Sequence, residues 1–545
     1  MKMLKLVFPH LRATLPVLLL LTLLASWPHD RAGAAEWEPA RAPKREVRAV
    51  WLTTIGGIDW PHSYAQSERS AEKQRQELCR ILDELKRAHI NTVLLQTRIR
   101  ATTIYPSDME PWDGCLSGFP GRSPGYDALA FAIDECHKRG MELHAWVVTI
   151  PVGKWNQTGC RALRRKHPEL VRKIGAEGYM NPENPRTGDY LARLCADIAR
   201  RYDIDGIHLD YIRYPETWRI RVSRNEGRRR ITSIVRKIHD AVKAEKPWVK
   251  MSCSPVGKAD DLARYWSHGW NAYSTVCQDA QGWLREGLMD ELFPMMYFRG
   301  NQFYPFAIDW KEMSAGRIVA PGLGIYFLDP REGNWRIGDV TRQMFFLRQI
   351  GLGHAFFRSK FFTDNQQGIY HFTCDDFNRY PSLVPEMTWG RHVATDETYN
   401  VYVGRTAPVD TADARNLMAV RLPRNEMLKC LQQVEKLPHV VTAMDRYGHE
   451  RIVKQTPAPP HSVGSDLLEC DGRWLRLPPK PSTLDASLVL ITTLQGTPIA
   501  SRPYRDGRVD VGSVPEGCYT VRSIGRKGVT HRLGWFIIKR KREGK

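Results

Sequence analysis

Across the first 390 positions, short apolar runs alternate with stretches whose apolar residues recur every three or four places. The runs at 47–54 (VRAVWLTT), 91–98 (NTVLLQTR), 142–149 (ELHAWVVT), 206–213 (GIHLDYIR), 249–255, 291–298, 317–326 and 353–362 are continuous enough to read as strands buried on both faces. Helical spacing fills the gaps, at about 67–88, 127–139, 185–202, 226–245, 279–288, 305–314 and 338–350. Gly140, just past the second of these, stands where a helix needs a C′ glycine. The pattern therefore contains eight β-α repeats. No Gly-rich phosphate turn follows the first strand, so a (β/α)8 TIM barrel over residues 45–390 is favoured above a doubly wound sheet.

Past that point the helical spacing stops. Short alternating runs separated by turn residues predict a small β-sandwich over 393–455 and a second over 463–540, with a Pro-rich linker at 456–460 and a basic, solvated tail at 539–545. At the other end, Lys2 and Lys5 precede an apolar run at 15–25 and then the small residues Ala32, Gly33, Ala34 and Ala35, so residues 1–35 read as a secretory signal peptide. The run is too short for a comfortable membrane span, and no Cys follows it to take a lipid. The expected address is exported, periplasmic or secreted.

Composition sharpens the choice of partner. The chain carries a formal charge of +20, which suits an acidic ligand, but export, the lack of zinc-finger spacing and the lack of an aromatic RNA-binding pattern argue against nucleic acid. An anionic polysaccharide is the better expectation. Eleven cysteines are scattered without a C-x-x-C pair, so neither a zinc site nor a redox motif is indicated; the default reading is buried thiols with one or two disulfides at most. No metal and no cofactor is expected, and oligomeric state is not legible.

Chemistry in a barrel gathers at the C-terminal ends of the strands. Asp210 ends the fourth strand, with His208 on the same face by the two-residue period and Arg213 just beyond. A buried carboxylate there is either paired or used. Gln96 and Arg98 come from the second strand, His144 and Trp146 from the third, Tyr297 from the sixth and Tyr326 from the seventh. Aromatic planes that stack on sugar C–H faces, beside directional donors for hydroxyls, describe a saccharide site. Glycoside hydrolysis needs two carboxyl groups. Asp210 is one; Asp279, before the helix that leads to the sixth strand, is the first choice for the other and reads equally as a helix N-cap, and Asp59 after the first strand is next. Glu216 and Asp364 rank below them. Six arginines follow Asp210, at 219, 221, 224, 228, 229 and 230, either as a solvated helix start or as a basic rim for carboxylate-bearing sugars.

Several motifs in order, VRAVWLTT, NTVLLQTRIRATTIYPS (with Gln96, Arg98, Tyr105 and Ser107), HAWVVT, NPENP, YDIDGIHLDYIRYP, SCSPVGK, QDAQGWLREGLMDELFPMMYF and GLGIY, resemble the bacterial glycosyl-hydrolase-like family ten over about residues 45–390. The resemblance implies an exported TIM-barrel hydrolase distantly related to the α-amylase clan, with members that act on peptidoglycan glycan strands. It implies Asp210 as principal catalytic carboxylate, Asp279 within a Gln-Asp motif, Tyr105 as a further substrate-binding candidate, and a fibronectin-III-like module downstream. Chitinase-type barrels carry DGxDxDxE on the fourth strand; His208 and Ile212 replace its middle Asp and its Glu, so that mechanism lacks its acid here.

Overall fold

A computed structural model describes residues 42–390, 397–456, 467–477, 486–494, 496–503, 507–525 and 530–539. The leader, most of the Pro-rich linker and nearly all of the basic tail lie outside the described residues. The chain divides into two compact units, 1–456 and 457–545.

The first unit is built on the parallel strands β1 (Arg48–Leu52), β2 (Thr92–Ile99), β3 (Glu142–Val148), β4 (Gly206–Asp210), β5 (Lys250–Cys253), β6 (Glu291–Leu292), a seventh in two pieces (β7, Ile318–Val319 and Gly322–Leu323) and β8 (His354–Phe356). Each pairs with its sequence neighbour, β1 pairs with β8, and β7 joins β6 through its first piece and β8 through its second, so the sheet closes into a (β/α)8 barrel. Every residue of β1 to β5 is buried, as strands covered on both faces must be.

Helices α1 (Glu68–Arg87), α2 (Ala128–Lys138), α3 (Arg186–Arg201), α4 (Arg224–Glu245), α5 (Ala280–Arg285), α6 (Tyr304–Glu312), α7 (Ile337–Gln349) and α8 (Ser359–Thr363) follow the strands in turn. In α1 the buried positions Ala71, Gln74, Leu78, Leu82 and Leu85 form the one-sided stripe that binds a helix to a sheet. Asp127 caps α2 by accepting from the amides of Leu129 and Ala130, and Gly140 ends that turn with φ 73°.

A second layer closes the barrel's N-terminal end. Strands β9 (Thr398–Val403), β10 (Leu417–Leu422), β11 (His439–Met444) and β12 (Glu450–Gln455) form an antiparallel sheet in the order β10-β9-β11-β12. Where a sandwich would place a second sheet, helix α9 (Arg424–Val434) covers one face through Met427 and Val434, and Leu383 and Val409 cover the other. This module sends Arg421 under the barrel, where its guanidinium nitrogens lie 2.9 Å from Glu142 and 2.8 Å from Asp205. The C-terminal mouth lies at the opposite end.

The second unit holds β13 (Trp474–Arg476), β14 (Ala486–Thr493), β15 (Pro498–Pro503), β16 (Arg508–Asp510), β17 (Gly517–Gly525) and β18 (Thr530–Ile538). A four-stranded sheet in the order β15-β14-β17-β18 and the β13-β16 pair share one apolar core that includes Leu475, Val509, Ile491, Val521 and Phe536. All eleven cysteines are free thiols. No helix among the described residues is long and apolar enough to cross a membrane.

Candidate active site at the barrel mouth

Asp210 is the last residue of β4 and only 6% exposed. Its Oδ2 accepts from Trp146 Nε1 at 3.0 Å; its Oδ1 accepts from Ser254 Oγ at 2.8 Å and from the Tyr211 amide at 2.8 Å. The three donors come from β3, from the end of β5 and from the chain immediately after β4. Tyr211 reaches its position with φ 53°, a left-handed conformation unusual for a bulky side chain, and that turn aims its N–H at the carboxylate. Burial raises the Asp210 pKa, against the pull of Ser254, Arg213, Trp146 and Tyr211 toward the ionised form. The result is a desolvated carboxylate whose titration lies above that of an ordinary aspartate.

His208, one layer deeper, is fully buried. Trp51 Nε1 donates to its Nε2 at 3.3 Å, so that nitrogen carries a lone pair and the ring proton sits on Nδ1, which faces Ser252 Oγ at 3.0 Å. Burial, with His144 nearby, holds its pKa well below the usual histidine value. A neutral ring with both nitrogens engaged has nothing left for a sugar hydroxyl. The expected role in binding is replaced by a structural one, the floor beneath Asp210.

Around the carboxylate stand Arg213 and Tyr297, with Tyr326 packed against Tyr297. Arg213 stacks 4.5 Å over the Tyr211 ring and 5.2 Å over Trp270, and pairs with Glu216 at 2.7 Å. The Tyr297 hydroxyl is buried without a hydrogen-bond partner among the described residues, its ring 5.7 Å from Tyr326 and 5.2 Å from Phe357. Gln96 and Asp59 are also at the mouth but hold loops. The Gln96 side-chain Oε1 accepts from the amides of Thr54 and Ile55 at 3.1 and 2.8 Å. Asp59 accepts from the Thr53 amide and hydroxyl at 2.9 and 2.8 Å and is ion-paired with Arg358, so it clamps the start of the barrel to its end.

Four sequence candidates are not in this cluster. Arg98 is fully buried, with Nη2 2.6 Å from Glu110 and its remaining nitrogens on Glu110 and the carbonyls of Val148 and Thr149. Tyr105 packs edge-on against Tyr202 at 5.7 Å, under Arg201. His144 lies inside the barrel, 3.3 Å from Glu142 and 3.9 Å from Glu291. Asp279 is the N-cap of α5, accepting from the Gly282 amide at 3.0 Å, and lines an open recess with Arg228, Arg229 and Arg236 of α4. Its neighbour Gln278 is the buried member of the Gln-Asp pair, accepting from the Val256 amide at 3.0 Å and donating to the Ile212 carbonyl at 3.4 Å, which ties the β5 loop to the β4 loop. Asp279 is not among the groups that touch Asp210.

Sequence reasoning passed over Ser254, Tyr211, Trp51 and Trp270. Ser254 alone left a signal, since it lies two residues beyond Ser252 on the face that lines the barrel. No group of three or more His, Cys, Asp or Glu among the described residues could hold a metal ion.

Residues 46–323, just over half of the chain, match the glycosyl hydrolase-like 10 family. The chain belongs to that family. Two relatives agree: the glycosyl hydrolase YngK of Bacillus subtilis (strain 168) is 30% identical over 396 residues, 63% of this chain and 74% of YngK. The glycosyl hydrolase DigH of Escherichia coli (strain K12) is 28% identical over 302 residues, 49% of this chain and 69% of DigH. Among solved structures, the catalytic domain of β-amylase from Paenibacillus polymyxa overlays with a TM-score of 0.41 at 9% identity, covering 62% of this chain and 99% of that one. That likeness is too distant to bear on the site. Glycoside hydrolysis is the activity that membership brings to the mouth just described.

Proposed function

We propose that this glycoside hydrolase cleaves an N-acetylated, carboxylate-bearing bacterial glycan, the glycan strands of peptidoglycan, outside the cytoplasm, with Asp210 as its principal catalytic carboxylate. The observation that carries the reading is the Asp210 cradle. Three donors fix both oxygens of a desolvated carboxylate, which then faces the positive charge that develops at the anomeric carbon of an oxocarbenium-like transition state. In a site with little water that attraction is far stronger than in solution.

Acidity of the substrate is supported by the loop after β4. Arg219, Arg221 and Arg224 are exposed there and have no carboxylate in ion-pair range among the described residues, whereas Arg229 and Arg230 are spent on Glu226. Export is supported by the character of residues 1–35.

The test is product analysis by mass spectrometry with denuded peptidoglycan strands, intact peptidoglycan and chitin as substrates. Wild-type protein is expected to release fragments from the strands, and Asp210→Asn to reduce release by about 10⁴-fold with an unchanged circular dichroism spectrum. An Asp210→Asn protein that keeps wild-type turnover would sink the assignment; release from chitin alone would remove the carboxylate-bearing class.

A further inference from the structure

The loop that follows β5 carries two tryptophans whose placement the hydrolytic cradle does not explain. Trp266 is 88% exposed and Trp270 43%. An indole is among the largest apolar surfaces a side chain can hold in water, and a single exposed one needs no explanation. Here the pair shares one braced loop. Leu262 and Ser267 exchange both backbone hydrogen bonds, at 2.8 and 3.1 Å, around a single 3-10 turn, and Trp266 sits at its tip with φ 53°. The Ser267 hydroxyl donates to the Asn301 carbonyl at 3.1 Å, Lys258 donates to the His268 carbonyl at 3.1 Å, and Asp261 accepts from the Gly269 amide at 3.0 Å. The tip is held out by structure beneath it.

Trp270 is also continuous with the site. Its ring lies 5.2 Å from the Arg213 guanidinium, which is also 4.5 Å from the Tyr211 ring, and the Tyr211 amide donates to Asp210. Contacts thus link the carboxylate to Trp270 on the β5 loop, and Trp266 stands exposed at the tip of that same braced loop. Flat apolar faces at successive positions suit a chain of pyranose rings, each offering a C–H face while its hydroxyls stay in water. A pocket for one terminal sugar would need walls and donors instead.

We propose that Trp270 and Trp266 are successive sugar-stacking subsites of an extended groove, so that the enzyme engages a polymeric glycan along several residues and cuts within it. The proposal rests on the reading of the mouth as a glycan site. Trp266→Ala removes a side chain that supports little of the fold, and Trp270→Ala is the second variant. The measurement is kcat/KM of the full chain on denuded glycan strands graded by length. For Trp266→Ala the loss on long strands is expected to exceed the loss on the shortest cleaved oligosaccharide by about tenfold, in KM rather than kcat. Equal losses at all lengths, or none, would overturn the proposal. If wild-type protein cleaves another glycan and not these strands, the substrate reading fails, and the same length series on that glycan decides the subsites. Should no glycan be cleaved, co-sedimentation with insoluble peptidoglycan and chitin decides: undiminished retention of Trp266→Ala overturns the subsites, and weakened retention supports them.

Discussion

At the scale of single residues, the interior of the barrel holds carboxyl groups in opposite states. Glu142 is pushed up by burial, but Lys250 at 2.6 Å and Arg421 outweigh that and hold its pKa at about 2. Glu291, fully buried one strand away from Lys250, has no hydrogen-bond partner on either oxygen among the described residues, and burial pushes its pKa up to about 7. A carboxyl whose folded pKa exceeds its unfolded one costs stability as pH rises from the unfolded value, near 4.5, to the folded value, near 7, because the folded state binds the extra proton in that window. Glu291→Gln is therefore expected to gain on wild type by up to about 3 kcal/mol at pH 8 and by little at pH 5, read from urea midpoints at the two pH values. A pH-independent difference would show that Glu291 is ionised throughout. Asp210 has the same sign from burial but donors to restrain it. The acid limb of kcat/KM should lie above the ordinary aspartate range, and Arg213→Gln, which removes a neighbouring positive charge, should move that limb further up in a pH-rate profile. A limb that moves down or stays fixed would separate Arg213 from the carboxylate.

At the scale of elements, the sequence made the long strands legible because all of β1 to β5 is buried and reads as unbroken apolar runs. The sixth and seventh runs shrink to pairs of residues in the sheet, since Pro294 and Pro321 interrupt the ladder that the pattern suggested would continue. The site was legible where it follows the two-residue period, as for Asp210 and Trp146. It was not legible where a side chain on the right strand is spent on another partner, as for Arg98 and His144, because periodicity gives the face and not the partner. Asp279 shows the same limit: an acidic residue before a helix reads alike as loop catalyst or N-cap, and the sequence could not show the 3.0 Å capping bond from Gly282. In the module after the barrel, helix α9 lies in a stretch read as strands and turns. Arg421 of that module occupies a position no local pattern could indicate, since Glu142 and Asp205 are more than two hundred residues away in sequence. Removing one partner of a buried ion network leaves its opposite charge uncompensated. Arg421→Ala should cost about 3–5 kcal/mol in chemical denaturation. A cost below about 1 kcal/mol would mean that Lys250, on Glu142, and His137, whose Nε2 lies 2.7 Å from Asp205, suffice for the two carboxylates.

At the scale of the whole molecule, the charge of +20 and the cluster of arginines at the mouth make different claims. Net charge acts diffusely and is screened beyond about 8–10 Å at ordinary salt, so it raises encounter rates with any polyanion without selecting a sugar. The three arginines at 219, 221 and 224 are local to the loop that leaves Asp210. Changing all three to Gln lowers the net charge only from +20 to +17, so a diffuse effect would survive almost intact while a local one would vanish. Raising salt from about 50 to about 500 mM is expected to lower kcat/KM on carboxylate-bearing strands roughly tenfold for wild type, and no more than about twofold for the triple variant. On a neutral chitin oligosaccharide both proteins should show the weaker dependence. If the triple variant keeps the full salt dependence, the attraction belongs to the molecule's overall charge and the rim does not choose the substrate. If wild type is insensitive to salt on both glycans, the arginines are a solvated face, and the acidic class of substrate falls with them.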